Sequence, residues 1–175
     1  MIKLNIGAGG DIKEGWRNMD IMFAPPDYID ITKPLPFDGN SVDFIYTSHT
    51  VEHTTTPDAV RFFMEAHRVL KPEGKLRVAV PNAHQIYDEA DEAYLKWHKK
   101  SGFGDGSRRG AVKSILLDHG HLSAWDYNIL FACLYAAGFE LGHIGLRDFS
   151  ELEGHGKVIG DHNNRIETII MEAIK

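Results

Sequence analysis

His49-Thr50-Val51-Glu52-His53 sets two imidazoles around a carboxylate, and Asp118-His119-Gly120-His121 brings the same functional groups together later in the chain. The first stretch has the H-x-x-E-H spacing that puts two histidines on one face of a helix, where they can hold zinc beside a glutamate that activates water. That chemistry needs the helix. Here the motif follows the strand-like run Val42 to Thr47 and precedes Thr54-Thr55-Thr56-Pro57, so at most one turn is available. Zinc hydrolysis is therefore not expected, no metal is assigned, and Glu52-His53 is read as a tie between the strand end and the following helix. Asp118 to His121 could supply metal ligands or a base; equally, it could be a polar loop with a histidine at a helix entry. An imidazole titrating near neutrality suits removal of a proton from an acceptor, so His49 and His121 are the candidate bases.

A second set of residues suits binding. Asn5-Ile6-Gly7-Ala8-Gly9-Gly10 carries minimal side chains, which would let a ligand approach the backbone. Asp20 and Asp30 are carboxylates, each able to accept two hydroxyl protons through charge-assisted bonds worth about 1.5–3 kcal/mol. A solvated strand-end aspartate is the plainer reading of Asp20, and a cap on the Ile31-Thr32-Lys33 turn that of Asp30. A dinucleotide fingerprint would need glycine at Ile12, and only nine residues separate Gly10 from Asp20, too few for a full helix. No Gly-Lys-Ser/Thr follows the loop either. The missing phosphate machinery favours a nucleoside ligand without a pyrophosphate.

These groups must be held by alternating strands and helices. Ile2, Leu4 and Ile6 alternate into the glycine turn, Trp16 to Ile21 is a weaker strand, Asp27 to Asp30 a short third, and Val42 to Thr47 a fourth. Thr56 as N-cap with Pro57 opens a helix with an apolar face of Val60, Phe63/Met64, His67 and Leu70, ended by Lys71-Pro72-Glu73-Gly74. Leu76 to Val80 is the next strand, and Ile86, Ala90, Tyr94 and Trp97 recur at helical spacing to about His98. Trp97 and Trp125 are read as core, as is the Phe62-Phe63-Met64 run. Ser101 to Gly110, with four glycines and Arg108-Arg109, begins a 101–120 segment read as a long connection, or as a mobile lid whose cations hold an anionic acceptor. Ser123 caps a helix closing at Gly138, and Phe139 to Leu146 and Ile166 to Ile174 form a terminal strand pair, most simply antiparallel. The alternation predicts a doubly wound, mostly parallel α/β sheet. Ligands to such sheets bind beyond the carboxyl ends of the strands, where Gly7, Asp20, Asp30 and the Ser48 to His53 stretch all fall.

Composition bounds the reading. The 175 residues suit one domain over 1–175, and 43% hydrophobic with 25% charged residues excludes fibrous and disordered classes. With 19 basic against 25 acidic residues, a net charge of −6 and no extended basic cluster, affinity for bulk nucleic acid is not expected. The single Cys133 excludes an intrachain disulfide and fits a reducing compartment. Without an apolar leader or an 18-residue apolar run, the expectation is cytoplasmic, with no membrane partner.

Three blocks together resemble the class I S-adenosylmethionine-dependent methyltransferases, in particular small bacterial members near the ubiquinone/menaquinone-methyltransferase type. They are Leu4 to Gly10, Leu35 to His53, and Arg68-Val69-Leu70-Lys71-Pro72-Glu73-Gly74-Lys75-Leu76, joined by a helix ending Ala136-Ala137-Gly138-Phe139. The resemblance implies a Rossmann-like fold with S-adenosylmethionine as cofactor. Gly7 and Gly9 would lie against its methionine part, Asp20 on the ribose hydroxyls, Asp30 facing the adenine amino group, and Ser48 and His49 at the sulfonium, with Asn5 and Ile21 completing the cofactor set. Asn5 stands where the family usually has an acid, and Gly10-Asp11 replaces the usual third glycine. The implied activity is methyl transfer to a small-molecule or saccharide-like acceptor. Its rival is a catalytically silent module that binds the cofactor or a related nucleoside.

Overall fold

The computed structural model describes residues 1–147 and 168–175. Six strands form one sheet: β1 (Lys3–Ile6), β2 (Arg17–Met19), β3 (Val42–Ser48), β4 (Leu70–Pro81), β5 (Ile144–Leu146) and β6 (Thr168–Ile174), in the spatial order β2-β1-β3-β4-β6-β5. The first four pair with one another in parallel, while β6 runs antiparallel to β4 and to β5. The helices are α1 (Thr56–Val69), α2 (Ala83–Glu89), α3 (Glu92–Lys100), α4 (Arg108–Leu117) and α5 (Tyr127–Ala136). This is the Rossmann-like, mostly parallel sheet with an antiparallel C-terminal pair that the strand pattern predicts. None of the described helices is long and apolar enough to cross a membrane.

Period-two alternation assigns each strand residue to a face. Leu4, Ile45, Leu76 and Ala173 share one row and Ile6, Val78 and Met171 another, all on the face where α1 and α5 complete the main core. Asn5, Tyr46, Arg77 and Glu172 align on the opposite face, where Trp16 packs edge-on against Phe44 at 5.3 Å. No helix joins β1 to β2. The connection is instead fastened by Asn18, whose Oδ1 accepts from the Lys13 amide at 2.9 Å and from Asn5 Nδ2 at 2.8 Å. A parallel pair is thus made across a stretch too short for a crossover helix.

Several local expectations move. The N-cap of α1 is Thr55, not Thr56, because Thr55 Oγ1 accepts from the Asp58 amide at 3.3 Å and donates to its carboxylate at 2.5 Å, a reciprocal cap that only the threonine three residues ahead can make. The buried face of α1 is accordingly Ala59, Phe62, Phe63, Ala66 and Val69, leaving Met64 exposed. Lys71 to Gly74 does not end the helix as a loop but lies within β4 as an irregularity, with the left-handed Glu73 (φ +64°). The single helix expected over 86–98 is two, split at Ala90-Asp91, where Asp91 Oδ1 accepts from the Tyr94 amide at 2.7 Å. The cap of α5 is Asp126, not Ser123, whose amide is taken by the Glu52 carbonyl.

Tyr28 makes only an isolated bridge to Asp20, so Asp27 to Asp30 is not a strand, and the penultimate strand is confined to Ile144–Leu146. Ile166, the expected start of the last strand, lies outside the described residues. The 101–120 segment is also not one loop. Its second half is α4, capped by Ser107, and Arg108 donates to the Tyr87 and Asp88 carbonyls at 2.6 Å each, which ties that guanidinium to the end of α2.

Candidate active site

The carboxyl ends of β1, β2 and β3 open on a cleft of about 180 Å³ walled by Gly7, Asp20, Ile21, Asp30, Thr50 and His53 among others. Gly7 closes β1 in the left-handed region (φ +74°) with its amide on the Met19 carbonyl at 2.8 Å, and a Cβ there would stand 2.0 Å from Thr50 Oγ1. Glycine is required because the chain leaving β3 passes directly against it. Asp20, just past β2, accepts from the Gly9 amide on Oδ2 and the Met22 amide on Oδ1, both at 2.9 Å. Two donors fix the carboxylate while lone pairs remain on each oxygen for a ligand. Asp30 Oδ1 accepts from both the amide (2.9 Å) and the hydroxyl (2.7 Å) of Thr32, so the turn-capping role and a place in the cleft wall coexist.

Asn5 does not reach this cleft. It is buried under the loop, and its Nδ2 donates to the Asp11 carbonyl and Asn18 Oδ1 at 2.7 and 2.8 Å, so it holds the loop's shape. Gly9 acts through its amide on Asp20. Ser48 ends β3, its carbonyl accepting from Thr50 Oγ1 at 3.0 Å, and it belongs to the wall of neither cavity described here.

A second cavity, about 330 Å³, lies across the 49–54 segment, with His49, Glu52, His53, Trp97, His119 and His121 in its wall. His49 adopts the left-handed conformation (φ +47°), uncommon for a residue with a Cβ, with its amide donating to the Ala79 carbonyl at 2.9 Å. The imidazole has Nε2 at 3.1 Å from Thr168 Oγ1 and Nδ1 at 3.4 Å from Glu52 Oε1. Glu52 is 1% exposed, and neither carboxylate oxygen has a hydrogen-bond partner among the described residues. Its backbone carbonyl accepts from the Leu122 amide at 2.7 Å and the Ser123 amide at 3.1 Å, which pins the segment before α5 against the end of β3. His121 thereby comes to Glu52, with Nε2 at 3.9 Å from Oε1 and Nδ1 bonded to the Ile115 carbonyl. Burial is the main influence on the His121 imidazole and pushes its pKa below the ordinary value; Glu52 and the Ile115 carbonyl oppose this, while His53 and His119 add to it.

The structure therefore brings His49 and His121 into one cavity and Gly7, Asp20, Ile21 and Asp30 into the adjoining one. Glu52, read as a tie to the helix that follows, is a tie through its carbonyl to the chain before α5. Trp125 is core at 3% exposure, whereas Trp97, read as core, is half exposed and lines the second cavity. Sequence reasoning missed Thr50 and His119 as wall residues. The only sequence signal for them was their place inside the His49 to His53 and Asp118 to His121 stretches.

Residues 24–78 match the family described as a methyltransferase domain. No curated sequence matches the chain. Among solved structures, a SAM-dependent methyltransferase from Archaeoglobus fulgidus is similar at 15% identity and a TM-score of 0.59, over 99% of this chain and 85% of that one. An S-adenosylmethionine-dependent methyltransferase from Mesorhizobium loti gives 14% identity and a TM-score of 0.54 over 99% and 90%. The trans-methyltransferase CalH in complex with SAH gives 14% and 0.53, over 100% of this chain and 51% of that one. At these identities the structural likeness speaks for the fold; the match over 24–78 covers the second aspartate of the cleft and the strand that ends at Ser48, just before His49.

Proposed function

We propose that the chain is a class I S-adenosylmethionine-dependent methyltransferase that transfers the methyl group to a small-molecule or saccharide-like acceptor seated in the histidine-lined cavity. One observation carries the reading: the cleft and the cavity share the 49–54 wall, with His53 facing both. A cofactor in the first has room for an acceptor beside it in the second. The residues fit such a cofactor, since Asp20 in the cleft wall, already fixed by two amides, offers lone pairs to ribose hydroxyls, and Gly7, which lets Thr50 pack against it, keeps the end of β1 in the same wall.

When bound, S-adenosylmethionine supplies a methyl carbon on a sulfonium, so that a bond from the acceptor oxygen forms as the C–S bond breaks and its electron pair stays on sulfur. The protein's part is alignment of acceptor and methyl carbon, which Trp97, His119 and the fixed 49–54 turn provide through the cavity's shape. His49 takes the hydroxyl proton, with Glu52 Oε1 lying 3.4 Å from its Nδ1. His121 is the alternative base, a role open to it only while its Nε2 holds no other ligand. Asp30 faces the adenine, and Gly9 orders Asp20. The single buried Cys133 supports a reducing, cytoplasmic setting.

The test is a melting curve followed by a product screen. S-adenosylhomocysteine should raise the melting temperature, and NAD and ATP should not, because the loop lacks phosphate-binding features. Equal stabilisation by NAD would sink the reading. Sugars, nucleotide sugars and small hydroxy acids are then screened for S-adenosylhomocysteine release by mass spectrometry. A protein that binds the cofactor yet never turns over across acceptor classes would fit the silent module instead.

A further inference from the structure

We propose that Glu52, His53 and His121 hold a divalent transition-metal ion of the zinc type in the histidine-lined cavity. One carboxylate oxygen and one nitrogen from each imidazole already lie within 4.8 Å of one another. Glu52 is the compelling part. A carboxylate at 1% exposure with no hydrogen-bond donor among the described residues needs positive charge close by. Direct pairing with imidazolium would bring nitrogen to about 2.7–2.9 Å, yet the nearest nitrogens stand at 3.4 Å (His49 Nδ1) and 3.9 Å (His121 Nε2). Ligand atoms about 2.0–2.2 Å from a tetrahedral ion are themselves roughly 3.4 Å apart. Of the proposed ligands, His121 Nε2 at 3.9 Å from Glu52 Oε1 is beyond hydrogen-bond distance and about half an ångström wider than that separation, so the ligand atoms need to close only slightly around an ion.

A second observation is independent of the carboxylate. His121 directs Nδ1 at the Ile115 carbonyl, the outer hydrogen bond by which proteins fix a ligating imidazole in the tautomer that leaves Nε2 free to coordinate. Nε2 is the atom turned toward Glu52. The frame is also fixed: the Leu122 and Ser123 amides both donate to the Glu52 carbonyl, so the two ligand segments are joined by backbone before any ion arrives. His53 stacks edge-on against His121 with ring centroids 4.9 Å apart. This reverses the expectation from the sequence that no metal binds. A helix carrying H-x-x-E-H is unnecessary when two ligands come from the Val51–His53 turn and the third from the chain entering α5.

Three protein ligands leave a coordination position open to the cavity. Resting on the methyl-transfer reading, the class of acceptor this selects is one with an oxygen that can occupy that position, such as a vicinal diol, a hydroxy acid or a phenol. Metal contact lowers the pKa of a bound hydroxyl and orients it.

The experiment uses the full chain, stripped by chelator and then titrated with ZnCl₂ alone. Binding of S-adenosylhomocysteine is measured on the same samples. About one equivalent of zinc should remain after gel filtration, with a higher melting temperature, and His53→Ala and His121→Ala should each weaken zinc binding at least tenfold. His53 is exposed, so its substitution tests the site without threatening the core. His84→Ala, at the exposed His84–Asp88 pair (3.1 Å), should change nothing. Retention below about a tenth of an equivalent, or retention equal in wild type, His53→Ala and His121→Ala, would overturn the proposal. Zinc binding without S-adenosylhomocysteine binding would keep the metal site and remove the methyl-transfer reading; the reverse would do the opposite.

Discussion

The two cavities that flank the 49–54 turn treat their carboxylates in opposite ways. In the glycine-walled cleft, Asp20 and Asp30 are exposed enough to meet solvent and are each already bonded to local donors, Asp20 to two backbone amides and Asp30 to the amide and hydroxyl of Thr32. In the histidine-lined cavity, Glu52 is buried and its carboxylate has no such donor among the described residues. The first arrangement is complete as a scaffold and leaves lone pairs that could accept hydrogen bonds from a neutral ligand. The second is incomplete until something positive arrives, whether a proton on an imidazole or an ion. On the proposed reading recognition and reactivity would be separated by the single 49–54 turn of chain, and substitutions on either side should separate binding from turnover.

The largest separation is expected at His49. His49→Ala should leave S-adenosylhomocysteine affinity within a few-fold while lowering turnover on a hydroxyl acceptor by about 10²–10⁴, the usual contribution of a positioned base. Parallel losses in affinity and turnover would show that the two cavities are not functionally distinct. Wild-type turnover in the variant would move the base to His121.

The reverse effect is expected at Asp20. Asp20→Ala should weaken S-adenosylhomocysteine by about 1.5–3 kcal/mol, or roughly 10- to 150-fold, measured by calorimetry. Because Asp20 also anchors the Gly9 and Met22 amides, Asp20→Asn is the informative companion: it keeps an acceptor oxygen and should recover part of the loss. If Ala binds as tightly as wild type, the carboxylate only shapes the turn.

A smaller effect probes the wall itself. Gly7→Ala places a methyl where Thr50 Oγ1 already stands and forces a left-handed φ on a residue with a Cβ, so the fold should lose about 2 kcal/mol, or about 4–8 °C in melting temperature. Thr50→Gly in the same chain should restore the part due to collision and leave the part due to backbone conformation. Full additivity of the two changes would mean that Gly7 and Thr50 do not press on one another.

What the sequence disclosed follows the same division. The strand runs, the glycine turn and the carboxyl-end aspartates are local patterns, and they lead to the parallel sheet and to part of the cleft wall, Gly7, Asp20, Ile21 and Asp30, without any knowledge of packing. Asn5 is the exception: its position at a strand end is legible, but its occupation by Asp11 and Asn18 depends on how a loop without a helix folds back. The cavity was poorly legible because its members come from distant segments. Nothing in Asp118 to His121 says that the Leu122 and Ser123 amides will dock on the Glu52 carbonyl, and Trp97 looks like core until the helix expected over 86–98 is seen to break at Asp91. Local capping competed in the same way, since Thr54, Thr55 and Thr56 all have cap chemistry and only the reciprocal bond with Asp58 selects one.

The smallest effect lies away from both cavities and sets the background for comparing them across pH. His67, on α1, packs edge-on against Phe139 with ring centroids 5.0 Å apart, and burial, helped by the nearby Lys175 ammonium, holds its pKa below the ordinary 6.5. The folded state then binds this proton less readily than the unfolded chain. Between the folded and unfolded pKa values the unfolded state carries more protons, so stability rises with pH there. Its contribution is complete above about 6.5 and is lost as pH falls from that value toward the lower folded pKa. Wild type should therefore melt progressively lower as buffers are taken from pH 7.5 to 5, and His67→Gln should reduce that slope while leaving S-adenosylhomocysteine affinity at pH 7.5 unchanged. An unaltered slope in His67→Gln would assign the acid sensitivity to other groups, with the imidazoles around Glu52 next to be substituted.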